Sequence, residues 1–114
     1  MSNDTLVVEY QTFVPTTAIY PKANTGDKEE LMYLSLGLSG EAGEIANKVK
    51  KLYRDYDSFE QRESIARELG DVMWYAFQLA NALNVSMSGV LVANRDKIVD
   101  RQNRGMLGGS GDER

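Results

Sequence analysis

Apolar residues recur every three or four positions along most of this chain, and the breaks in that rhythm divide it into four predicted helices. The first spans residues 4–18, with Leu6, Tyr10, Phe13 and Thr17 on one face. Its β-branched residues make it the poorest helix former of the four. Residues 21–27 are rich in turn formers, and Asp27-Lys28-Glu29-Glu30 has the form of a helix start. The second helix spans 28–53, with a stripe of Leu31, Leu34, Leu38, Ile45, Val49 and Leu52. A turn at 55–57 leads to Ser58-Phe59-Glu60-Gln61, a capping box that opens the third helix, 59–83. Ile65, Leu69, Val72, Ala76, Leu79 and Leu83 form its seam, while Trp74, Tyr75 and Phe77 add apolar surface on other sides. A helix apolar nearly all round is buried on more than one face, which in so short a chain implies a subunit interface as well as a core. Ser86 can cap the fourth helix, which runs to residue 104 with Met87, Leu91, Asn94, Ile98 and Arg101 in its seam. The tail, 105–114, holds four glycines and no apolar period, and reads as flexible.

The informative residues are those that break their own pattern. Glu41 stands in the stripe of the second helix, between Leu38 and Ile45, where a Leu or Ile belongs. An ionised carboxylate buried without a partner costs several kcal/mol at least, so Glu41 either faces water at the end of the bundle or has a partner. Glu44 follows at i+3; its spacing from Lys48, i,i+4, also suits a surface ion pair. Glu68 and Asp71 form a second i,i+3 acidic pair, beside the seam residues Leu69 and Val72. Asp71 is a poor mid-helix residue that heads a buried run; a metal, a tertiary salt bridge or a solvated edge would each explain it. Residues three apart on a helix have Cβ atoms roughly 5–6 Å apart. Two such pairs on facing helices would gather four carboxylates, which repel one another until a cation intervenes. With no His and no Cys, any metal must be held by oxygen, which points to Mg²⁺, or Mn²⁺ in its place.

Composition narrows the picture further. The length of 114 residues suits one domain, spanning 1–114. Hydrophobic residues at 42% and charged residues at 26% are ordinary for a soluble globular protein. A net charge of −4 argues against a nucleic-acid surface. The lack of Cys excludes disulfides and zinc–thiolate sites and fits a cytoplasmic setting. No stretch approaches 18 apolar residues, so no membrane span is expected, and the first residues lack the pattern of a signal peptide.

Asn94, Lys97 and Arg101 share one face of the fourth helix at i, i+3 and i+7. Asn94 can donate and accept, and the two cations suit phosphate oxygens; equally, Arg101 could snorkel and Lys97 simply be solvated. Other chemistries fall away. Di-iron bundles need Glu-x-x-His pairs, nucleophilic hydrolases need a base and a G-x-S-x-G turn, and P-loop enzymes need G-x-x-x-x-G-K-[ST]; none is present.

The runs Gly37-Leu38-Ser39-Gly40-Glu41-Ala42-Gly43-Glu44-Ile45 and Glu68-Leu69-Gly70-Asp71-Val72-Met73-Trp74-Tyr75 resemble the MazG-type nucleotide pyrophosphohydrolases. The likeness continues through Asn94-Arg95-Asp96-Lys97-Ile98 and Arg101 to the tail Gly108-Gly109-Ser110-Gly111-Asp112-Glu113-Arg114. It implies an all-α, four-helix bundle-like subunit whose core is completed in a homodimer or homotetramer. It implies Mg²⁺-dependent hydrolysis of a (d)NTP to the monophosphate and pyrophosphate. Glu41, Glu44, Glu68 and Asp71 match the family's metal ligands, with Glu41 or Glu44 taking the proton of the attacking water. Asn94 matches a nucleotide contact, Tyr75 a position near the sugar or base, and Lys97, Arg101 and Arg114 would meet the phosphates. Gly40 departs from the family's E-E-x-x-E pattern, in which the first position is Glu. That departure keeps a second reading open, a non-catalytic metal- or nucleotide-binding helical oligomer or regulator.

Overall fold

The computed structural model describes residues 3–112, and it consists of helices throughout, with no strand among them. α1 (Asn3–Phe13) passes into a short 3₁₀ segment (Val14–Thr17), followed by α2 (Lys28–Arg54), α3 (Phe59–Ala82) and α4 (Met87–Asn103). α2, α3 and α4 lie where the apolar period predicts them. α1 does not: it stops at Phe13 instead of reaching residue 18. Pro15 has no N–H to give the helix and its ring crowds the preceding turn, so the chain tightens into 3₁₀ geometry.

Caps account for the other starts. Ser58 accepts a hydrogen bond from the Gln61 amide, and Ser86 from that of Gly89, as their positions predict. Asp27 precedes α2 without capping it through its side chain. Its expected capping partner, Glu30, reaches past Asp27 into the preceding loop. Glu30 is fully buried, and its carboxylate accepts from Tyr20 Oη (2.6 Å), Asn24 N (2.6 Å) and Gly26 N (2.8 Å). Burial opposes its charge, but the bonds from Tyr20 and from the Gly26, Asn24 and Thr25 amides outweigh this and hold its carboxyl below the ordinary range. The loop that supplies these donors has positive φ at Lys22, Asn24 and Gly26.

The apolar core is small and sits at one end. Val14, Phe77, Ala80 and Met87 are buried together, with Val7, Tyr10, Trp74 and Ala76 against them. The inward residues are therefore Val7 and Tyr10 on α1 and Val14 at the start of the 3₁₀ segment; Leu6 and Phe13, expected inside, are more than half exposed. Gln11 ties α1 to the α3–α4 turn, donating to Asn81 Oδ1 and Val85 O and accepting from Met87 N.

The main packing is between α2 and α3, which run antiparallel: Gly37 lies against Tyr75, whereas Lys48 meets Ser64. α4 turns away from α3 by 104° and leans on α1. The result is open. The radius of gyration is 16.8 Å, against about 13 Å for a compact chain of this length. Seam residues such as Leu69, Leu83, Leu91 and Ile98 stay about half exposed. No single helix among the described residues is long and apolar enough to cross a membrane.

Candidate metal centre and pocket

A polar stripe runs down the α2–α3 interface. On α2, Tyr33, Gly37 and Glu41 repeat at i, i+4 and i+8 and share a face. Opposite them α3 presents Tyr75, Asp71 and Glu68. Carboxylate oxygens of Glu41, Glu68 and Asp71 all lie within 4.8 Å of one another. Next to them is a pocket of about 360 Å³ lined by Glu41, Asp71, Trp74 and Tyr75.

The electrostatics show the strain of that grouping. Burial, a shared hydrogen bond with Glu68 and the nearby charges of Asp71, Glu68 and Glu44 push the Glu41 carboxyl up. The Glu68 carboxyl is held down, mainly by Lys48, whose Nζ lies 2.8 Å from Glu68 Oε1 and 2.8 Å from Ser64 Oγ. Lys48 thus reaches across to α3 and does not form the i,i+4 pair with Glu44 that its spacing allows. An all-oxygen cluster carrying this much negative charge fits a hard divalent cation.

Three of the four predicted acids are brought together. Glu44 is exposed one turn along α2 and stands outside the trio, acting on it through its charge. Tyr75 lies beside the acids, in the wall of the same pocket. Its hydroxyl is made less acidic by burial, by Tyr33 and by the charges of Glu41 and Asp71.

Further aromatic rings adjoin the pocket residues Trp74 and Tyr75. Trp74 and Tyr75 meet edge-on at 5.0 Å, and Tyr33 stacks on Tyr20 at 4.3 Å. Trp74 Nε1 donates to Thr17 Oγ1 at 2.9 Å. Sequence reasoning places Lys48 beside Glu44 and Thr17 on the first helix's face, gives neither a role here, and does not name Tyr33 or Tyr20. Only Tyr33 carried a usable signal, an aromatic residue two turns before Glu41 on the same helical face.

The fourth-helix residues go elsewhere. Since α4 leans on α1, Asn94, Lys97 and Arg101 are not packed along the α2–α3 acids of the same chain. Asn94 is exposed. Arg101 is buried and donates to the carbonyls of Gly111 and Asp112, while Lys97 Nζ lies 3.1 Å from Asp112 Oδ1. The tail expected to be flexible is therefore laid back along α4, with the Asp112 carboxylate on both cations. Arg114 lies outside the described residues.

The comparisons agree with this architecture. The profile described as the MazG nucleotide pyrophosphohydrolase domain matches residues 29–106. The chain belongs to the MazG nucleotide pyrophosphohydrolase family. The match includes the whole acidic cluster and α4, and leaves out α1, the 3₁₀ segment and the Tyr20–Asn24 loop. This MazG-family chain is also similar to the Gene 37 protein of Mycobacterium phage L5, 52% identical over 109 residues, covering 92% of this chain and 96% of that one. No solved structure matches.

Proposed function

We propose that the protein is a Mg²⁺-dependent pyrophosphohydrolase that cleaves a (d)NTP between the α- and β-phosphates, releasing (d)NMP and pyrophosphate. The observation that carries this reading is the clustering of the Glu41, Glu68 and Asp71 oxygens beside a pocket walled by Trp74 and Tyr75. Those three carboxylates, with Glu44 as a fourth, would hold Mg²⁺, or Mn²⁺ in its place. Such an ion would screen the triphosphate from the acids and lower the pKa of water at the site. Glu41 is the preferred acceptor of the water's proton, because burial and neighbouring charge raise its basicity; Glu44 is the alternative. The faces of Trp74 and Tyr75 suit the base or sugar.

The cations that would steady the leaving pyrophosphate, Lys97, Arg101 and Arg114, together with Asn94 for the nucleotide, belong to α4 and the tail. In this reading a second copy supplies them, in a homodimer or homotetramer. Half-exposed Leu69, Met73, Leu91 and Ile98 support an assembly. So do Gly40, Gly43 and Gly70, where an added Cβ would meet nothing within 4 Å. Glycine inside a helix is destabilising, and no contact among the described residues accounts for these three. A cytoplasmic location goes with a nucleoside triphosphate substrate.

The test is pyrophosphate release from a panel of NTPs and dNTPs with Mg²⁺, comparing the protein with Glu41→Gln. Release by the former and its loss in the variant are expected. No release from any substrate would favour the non-catalytic binding protein that Gly40 keeps open, and equal release by both would remove Glu41 from the site.

A further inference from the structure

We propose that Gly37 is a positioning residue for this pocket: its missing side chain opens a slot on α2 in which the Tyr75 ring lies, fixing that ring beside Glu41. The inference rests on the proposed function for its catalytic consequence, and on geometry alone for the slot.

A glycine in the middle of a 27-residue helix costs stability relative to alanine, so its presence asks for a cause. At Gly37 the cause is visible. A Cβ built there would fall on Cε1 of Tyr75, 2.5 Å from Cζ and 2.6 Å from Cδ1. At Gly40 and Gly43 of the same helix it would meet nothing within 4 Å. The ring edge of Tyr75 therefore rests directly on the α2 backbone, closer than any side chain at 37 permits.

The slot is also in the right place. Gly37 is one turn after Tyr33 and one turn before Glu41, on the face that carries both. Tyr75 has two aromatic neighbours, Tyr33 at 6.5 Å between ring centroids and Trp74 at 5.0 Å. Tyr75 itself lines the space shared with Glu41, Asp71 and Trp74, so a ring displaced from α2 changes the wall of that space. A single methyl group at 37 would thus reshape the wall where the nucleoside is read, without touching a carboxylate.

The test is a double-mutant cycle in the full-length protein with Gly37→Ala, Tyr75→Ala and the pair. Three readouts are used: melting temperature without metal, emission of Trp74 (the sole tryptophan), and KM and kcat for the best triphosphate. Gly37→Ala is expected to lower the melting temperature and shift the Trp74 emission. It should raise KM at least about tenfold, with a smaller change in kcat. In the Tyr75→Ala background the same substitution should raise the melting temperature, as helix propensity alone dictates, and leave KM unaltered. The proposal is overturned if Gly37→Ala stabilises the otherwise unaltered protein and leaves emission and KM as they were. Equal effects in both backgrounds also overturn it. Should the protein turn over no triphosphate, the proposed function fails, while the melting and emission cycle still decides the slot.

Discussion

Replacing Glu30 with Gln keeps the shape of a side chain that has no exposed surface and removes its charge. Both carboxylate oxygens act only as acceptors, Oε2 from Tyr20 Oη and Asn24 N, Oε1 from Gly26 N. An amide must turn its NH₂ toward one of these groups. The better orientation sacrifices the Gly26 bond, leaving buried donors face to face, at about 1–3 kcal/mol. The two surviving bonds lose their charge assistance, about 1 kcal/mol each. The expected loss is about 3–5 kcal/mol, or about 12–20 °C in melting temperature for a chain of this length. Thermal unfolding at fixed protein concentration measures it directly. The pH dependence has a definite sign. The folded-state pKa of Glu30 is depressed, so its contribution is complete above the ordinary value of 4.5 and is lost as pH falls through the folded value. The melting curves of the two proteins should therefore converge in acid. A loss below about 1 kcal/mol at pH 7, or a gap that widens in acid, would refute the reasoning.

Two further outcomes are expected. Lys48→Met removes the cation that holds the Glu68 carboxyl down, so the metal-free protein should melt lower at neutral pH. The difference should vanish as pH falls through the depressed Glu68 value, as a pH series of melting curves will show. Asp112→Asn removes the carboxylate from Lys97, while Arg101 keeps its bonds to the Gly111 and Asp112 carbonyls, and should tighten inhibition by pyrophosphate roughly threefold, the scale of an exposed ion pair. Unchanged or weaker inhibition would mean that Lys97 does not meet phosphate.

How far the sequence reads through to the structure depends on where each residue's partner lies. Helices 2 to 4 were legible because their period, the Ser58 and Ser86 caps and their neighbours are all local. Glu41 was legible for the same reason, as a charged residue in an apolar stripe. Glu30 was not. The capping-box pattern assigns it to its own N-cap, whereas its donors sit four, six and ten residues back, in a loop shaped by left-handed Lys22 and Asn24. Lys48 likewise follows a cross-helix partner that spacing cannot show. The shared face of Asn94, Lys97 and Arg101 was visible, but the 104° turn that carries it away from the acids was not. Nor could the period reveal that the tail would settle on Arg101.

The small core has a thermodynamic consequence. Among the described residues, only Val14, Leu34, Phe77, Ala80 and Met87 are closed apolar side chains, while the polar stripe and the Glu30 cluster supply much of what joins the elements. Unfolding one such chain alone would expose less apolar surface than unfolding a compact chain of its length. Its heat-capacity increment is then low for its length, and its stability curve is broad and shallow. Apolar surface covered by association adds to that increment. Curvature of the stability curve therefore measures how much of the hydrophobic effect this fold keeps within one chain and how much it defers to its assembly.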